Sequence, residues 1–168
     1  MKDTLRILVD WKCNLKCPYC CNEQERFRKD ILPVKLEDID FFKYENFCIS
    51  GGEPLLRLDL IGEITKKIPW GCKTILYTNG ILLTRKRAHL LDLWAVNAIN
   101  IGLHYPKSFH KIIRRVTDEM GDIPIPVRFH VWEGYRSMDL ERQHPRVELK
   151  YWKMDDCDRE NEDRVVLV

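Results

Sequence analysis

The stretch Asp10-Trp11-Lys12-Cys13-Asn14-Leu15-Lys16-Cys17-Pro18-Tyr19-Cys20-Cys21 decides the reading of this chain. Three cysteines stand at Cys-x3-Cys-x2-Cys spacing, directly after the apolar run Leu5-Arg6-Ile7-Leu8-Val9. A fourth, Cys21, follows at once. Thiolates packed this densely, while the chain's other cysteines are scattered, point to a bound metal. Three ligands leave a tetrahedral site or a cubane cluster one position short. An open position turns a structural metal into a reactive one. The bland alternative is a structural zinc site closed by Cys21 or by a distant residue. Adjacent cysteines reach one centre poorly, so Cys21 reads as a bystander or as a group behind the ligands.

Outward from this loop, a strand followed by a helix recurs. Residues 5–9 form the first strand, and a charged run from Glu23 to Asp30 leads away from the cysteines. A short helix is expected over Leu36 to Tyr44. Asn46 to Ser50 is the second strand, closed by Gly51-Gly52-Glu53-Pro54. Asp59 to Ile68 is helical, with Leu60, Ile61, Ile64 and Ile68 on one face. Cys72 to Thr78 is the third strand, stopped by Asn79-Gly80, and a helix over Thr84 to Trp94 follows with Thr84 as its cap. Ala98 to His104 is the fourth strand. A helix from Ser108, expected as its cap, runs to Met120 and ends at Gly121. Pro126 to Trp132 and Val147 to Met154 are the fifth and sixth strands. The Asp155-Asp156-Cys157-Asp158 turn then leads to a last apolar run, Val165 to Val168.

Strands alternating with helices imply an α/β fold with a parallel sheet. In the fourth strand Ile99, Ile101 and Leu103 alternate with Asn100, Gly102 and His104. In the fifth, Val127, Phe129 and Val131 alternate with Arg128, His130 and Trp132. Glu148, Lys150 and Trp152 share a face of the sixth. One polar face per strand fits an open barrel with a wet lumen better than a sheet buried on both sides. The expected fold is therefore a partial (β/α)6 barrel, TIM-like, with its site at the C-terminal strand ends. The cysteine loop, Gly51-Gly52-Glu53-Pro54 and Thr78-Asn79-Gly80 all fall at such ends. The whole of 1–168 reads as a single domain, with a core over about 4–154 and a short tail over 155–168.

Composition narrows the setting. A net charge of +2 gives no argument for nucleic acid. The basic runs Arg85-Lys86-Arg87 and Lys111 to Arg115 read as solvated helix faces. No apolar run approaches the ~20 residues a membrane helix needs. The N-terminus lacks the apolar core of a signal peptide, so a cytoplasmic protein is expected, where seven cysteines would stay reduced. Cys48 and Cys72 read as small core residues. On the lumen, Arg128 and Lys150 are candidates to meet a substrate anion, with an internal pair to Glu148 as the alternative for Arg128. His104 and His130 are further candidates on the same face. Arg6 and Asp10 are expected to pair.

Cys13, Cys17 and Cys20, with aromatic Tyr19 before the last, resemble the signature of the radical S-adenosylmethionine (SAM) superfamily. Gly51-Gly52-Glu53-Pro54 resembles its second motif and Thr78-Asn79-Gly80 a third. The resemblance implies that the three cysteines bind three irons of a [4Fe-4S] cluster, and that SAM chelates the fourth iron. Reductive cleavage of SAM then yields methionine and a 5′-deoxyadenosyl radical that abstracts hydrogen from a substrate. It implies cofactor contacts from Tyr19, Ser50, Gly51, Gly52, Glu53, Thr78 and Val131, the last against the adenine. It implies that the glycines admit the methionine end closely, and that Glu53 fixes the turn or the SAM ammonium. The chain departs from the family at Gly102, where a ribose-contacting serine is usual, and at His104, where an aspartate is usual. Asn100 and His104 are the candidates to replace that serine. The family needs an external electron donor of flavodoxin or ferredoxin type. An open six-stranded barrel suggests a protein or peptide substrate, as for glycyl-radical activating enzymes, or a partner subunit that closes the gap. A small-molecule alternative resembles 7-carboxy-7-deazaguanine synthases, although Cys21-Asn22 stands where those carry a threonine. A non-catalytic zinc or iron–sulfur module is the alternative of another class.

Overall fold

The computed structural model describes residues 2–29, 31–153 and 161–168. Its strands are β1 (Thr4–Leu8), β2 (Leu32–Val34), β3 (Asn46–Ser50), β4 (Lys73–Thr78), β5 (Ala98–Leu103), β6 (Val127–Trp132), β7 (Glu148–Trp152) and β8 (Glu162–Leu167). They form one sheet of eight in the order β2-β8-β1-β3-β4-β5-β6-β7. Every pairing is parallel. Parallel neighbours need crossovers. Helices α2 (Leu58–Lys67), α3 (Arg85–Leu93) and α4 (Phe109–Met120) supply those after β3, β4 and β5. The helices α1 (Glu25–Arg28) and α5 (Leu140–Gln143) are single turns. The sheet keeps two free edges, β2 and β7, so the barrel is open.

The alternation read from sequence sorts the two faces. Ile99, Ile101 and Leu103 of β5 and Phe129 of β6 pack with Ile113 and Val116 of α4 in the main core. A second, smaller core of Leu8, Phe27, Ile31 and Val166 lies at the β8 flank.

The structure has eight strands where six were expected, and the two additions, β8 and β2, lie side by side on one side of β1. Strand β8 arises from the C-terminal run and pairs with β1 on one side and β2 on the other. Its first residues are charged, and charge hides a strand pattern. Glu162 accepts from Arg6 at 2.6 Å, and Asp163 accepts from the Tyr44 hydroxyl at 2.8 Å. The expected Arg6–Asp10 pair does not form. Asp10 instead accepts from the Lys12 amide.

The helix expected over Leu36 to Tyr44 is two 3-10 turns, Leu36–Asp38 and Phe41–Lys43. Ile39 is extended between them, and Asp40 caps the second turn by accepting from Phe42 N. A short polar side chain that bonds nearby backbone competes with helix continuation. Thr84 does cap α3, accepting from Arg87 N. Ser108 does not cap α4; its hydroxyl donates to Tyr105 O.

Candidate active site at the strand tips

A cavity of about 180 Å³ opens at the C-terminal ends of the strands. It is lined by Cys13, Cys17 and Cys20, by Tyr19, and by Ser50, Gly51 and Gly52 after β3. Thr78 and Asn79 enter from β4, and Asn100, Gly102 and His104 from β5. The three motifs that stand apart in sequence thus share one wall. Cys13 is exposed, and Cys17 and Cys20 are half-buried free thiols. Burial, with the neighbouring Cys20 and Cys13, pushes the Cys17 thiol up to about 12. Burial raises Cys20 as well. Cys21 lines the cavity but is disulfide-bonded, so its sulfur is not a spare thiolate. Cys157 lies outside the described residues.

Three free thiols lining one cavity are the donor set that a cubane cluster uses. Among the described residues no three His, Cys, Asp or Glu side chains converge as one metal ion requires. A cubane spreads its thiolates over separate irons, whereas a closed zinc site draws four ligands to one point. The glycine turn adds a surface bare of side chains. Gly51 has φ +138°, and a Cβ there would lie 2.6 Å from Asp10 O. A Cβ on Gly52 would lie 2.0 Å from Lys12 O. The close approach that demands glycine here is therefore to the chain's own cysteine loop.

Glu53 is buried behind this wall and does not line the cavity. Its Oε1 accepts from Leu55 N at 3.0 Å and the Thr78 hydroxyl at 2.6 Å, and its Oε2 from Asn79 N at 2.8 Å. Burial raises its pKa, and these bonds oppose the rise. Glu53 thus locks the tips of β3 and β4 together, and Thr78 is one of its donors. Of the two roles implied for Glu53, the structure displays the turn-fixing one.

Below the tips the lumen is polar. Arg6 is buried, accepted by Glu162 and stacked 4.4 Å above the Tyr77 ring. His130 meets Tyr77 edge-on. Asn100 lies deep in the same wall, 5% exposed, and its Oδ1 receives no hydrogen bond among the described residues. His104 folds over Gly102, where a Cβ would lie 2.5 Å from His104 Nε2. The missing side chain at 102 is what makes room for the imidazole. Burial lowers the His104 pKa, which keeps the ring neutral near pH 7.

Several candidates are elsewhere. Val131 is fully buried in the main core and does not line the cavity. Arg128 pairs with Glu148 at 2.8 Å, and neither it nor Lys150 reaches the cavity. Position along the strands separates them: Arg128 lies one same-face step before His130 on β6 and Lys150 one before Trp152 on β7, and it is His130 and Trp152 that line the cavity. Sequence reasoning missed Asn79, Tyr105 and Trp132 beside the cysteine loop, and Tyr77 and Trp152 on the lumen. Asn79 carried a signal in its place in the Thr78-Asn79-Gly80 turn, and Trp132 and Trp152 in the alternation that puts them on the faces of Arg128 and Lys150; Tyr77 and Tyr105 carried none.

A family model described as the radical SAM superfamily matches residues 12–120. The chain belongs to the radical SAM superfamily. It is an enzyme, and its cofactors are a [4Fe-4S] cluster and SAM. The chain is 31% identical to GTP 3′,8-cyclase of Alkaliphilus metalliredigens over 84% of its own length and 53% of that protein. It is 31% identical to molybdenum cofactor biosynthesis protein 1 of Mus musculus over 81% of its length and 25% of that protein. It therefore spans about half, or less, of these curated relatives. A solved structure of BtrN in complex with AdoMet and 2-DOIA shares the fold, with TM-score 0.58, 21% identity, and coverage of 95% of this chain and 76% of that one. No helix among the described residues is long and apolar enough to cross a membrane.

Proposed function

We propose that Cys13, Cys17 and Cys20 hold three irons of the [4Fe-4S] cluster and that the Gly51–Gly52 turn receives the methionine end of SAM. The observation that carries this reading is the meeting of three free thiols and a turn without side chains at one cavity mouth. When bound, the two cofactors supply a 5′-deoxyadenosyl radical that takes hydrogen from a substrate. The chain's own residues do the positioning. Glu53 holds the glycine turn against the Thr78 tip, Ser50 and Thr78 border the turn, and Tyr19 borders the cavity beside the last ligand. Asn100 and His104 offer hydrogen-bonding groups to the ribose along β5, in place of a side chain at 102.

The substrate sits on the polar floor of the lumen and is a small polar molecule. Its support is the polar lining that the buried Arg6 guanidinium, Tyr77 and His130 give to the cavity. The relatives named for a GTP cyclisation are compatible with such a substrate. A second reading, a peptide or protein side chain entering at the gap, is favoured by the two free sheet edges. An external one-electron donor of flavodoxin or ferredoxin type reduces the cluster, and the setting is cytoplasmic.

The test is anaerobic reconstitution with iron and sulfide, followed by metal analysis and electron paramagnetic resonance (EPR) of the reduced protein. The proposal expects four irons per chain and a spectrum that changes when SAM is added. A colourless chain with one tight zinc overturns it and leaves the non-catalytic module.

A further inference from the structure

The cysteine loop crosses the mouth of the sheet in strand order, and each strand tip it passes holds it at a different residue. After β3, Gly52 N and Glu53 N donate to the carbonyls of Asp10 and Lys12 at 2.8 Å. After β4, Asn79 Nδ2 donates to Asn14 Oδ1 at 2.7 Å and lies 4.0 Å from Cys13 Sγ. After β5, the Tyr105 hydroxyl donates to the Lys16 carbonyl. At the end of β6, Trp132 stacks on Tyr19 with ring centroids 3.8 Å apart. Backbone-to-backbone bonds to the strand tips stop at Lys12, and the next backbone bond, from Glu23 N to Cys20 O, closes a turn within the loop itself. Among the described residues, the span from 13 to 19 is therefore tied to the sheet by side chains.

Within that span the Lys16 carbonyl immediately precedes Cys17. Lys16 itself is exposed, so its peptide has solvent on one side and Tyr105 on the other. A peptide held at its oxygen is restrained in orientation, and the position of the next residue's Cα is restrained with it. Groups behind a metal ligand orient it and tune the centre it binds.

We infer that Tyr105 is a positioning residue for the cluster: its hydroxyl fixes the Lys16–Cys17 peptide and thereby aims Cys17. Its ring borders the solvent side of the loop, 36% exposed, and takes no part in the core. This inference rests on the ligand assignment proposed above, and its test separates the two. Tyr105→Phe removes the hydroxyl and keeps the ring. In the metal-free, reduced chain, alkylation by iodoacetamide is followed cysteine by cysteine with mass spectrometry. Cys17 is expected to react about fivefold faster in the variant, the factor for loss of one ordinary hydrogen bond. Buried Cys48 is expected to stay as slow as in the wild type. In the cluster-loaded protein, iron release to a chelator speeds up and the reduced EPR spectrum shifts. Unchanged Cys17 reactivity, or equal acceleration of Cys17 and Cys48, overturns the tether. A wild type that loads no cluster sinks the ligand assignment, while the alkylation ratio still decides the tether.

Discussion

Two flanks of one sheet are built differently. From β3 to β7 the strands follow chain order, each βα step adds a neighbour, and one large apolar core backs them. On the other side of β1, β8 and β2 come from distant parts of the chain and share a core of four buried residues. The large flank is held by packing. The small flank depends more on specific polar contacts: Glu162 with Arg6, Asp163 with Tyr44, and Arg164 stacked 5.0 Å from Phe27. Both flanks meet at β1, whose end launches the cysteine loop. The lesson is that the cavity wall is only as fixed as its weaker side, and that side is secured by ions and rings.

Four substitutions probe the two flanks. Glu162→Ala has the largest expected effect, because it leaves the buried Arg6 guanidinium without its carboxylate. Stability is expected to fall by about 3–5 kcal/mol, read from denaturant midpoints. Glu53→Gln acts at the junction of β3 and β4, where one amide –NH2 must face a donor. It costs about 2 kcal/mol and loosens the glycine turn, which weakened SAM binding reports. Val166→Ala trims the small core and costs about 1–2 kcal/mol. A loss as large as that for a Phe47→Ala change in the main core would contradict the division into a strong and a weak flank.

The smallest effect is in pH. The half-buried His104 has a folded pKa below its ordinary value, so its contribution to stability is full above about 6.5 and lost as pH falls through the folded value. His144 is shifted the same way by burial and by His110 and Arg114. His104→Asn is expected to flatten the fall in stability between pH 7 and pH 5 while leaving the His144 share. An unchanged slope removes His104 from the account.

The flanks also differ in how far the sequence revealed them. Along β5 and β6, apolar residues alternate with polar ones, and the alternation names both the core face and the luminal face. Strand β8 opens with Glu162-Asp163-Arg164, and strand β2 contains Pro33, a residue suited to an edge. Neither resembles a strand until its partners are known. The site divides in the same way. Cysteines and glycines announce themselves because few other residues can do their work at that spacing. Asn79, Tyr105 and Trp132 reach the cysteine loop only because neighbouring strand tips bring them there, and no local pattern encodes that meeting. Arg128 and Lys150 lie on the right face but one step short of the cavity that His130 and Trp152 reach, since alternation gives the face of a strand and says nothing about distance from a site.

The central claim is that the three thiols beside the glycine turn hold the centre that cleaves SAM. Its most direct test is anaerobic incubation of the iron- and sulfide-loaded chain with dithionite and SAM, with 5′-deoxyadenosine quantified by chromatography. The wild type is expected to release 5′-deoxyadenosine and Cys17→Ala to release none. No product from a fully loaded wild type, or undiminished product from Cys17→Ala, would contradict the claim.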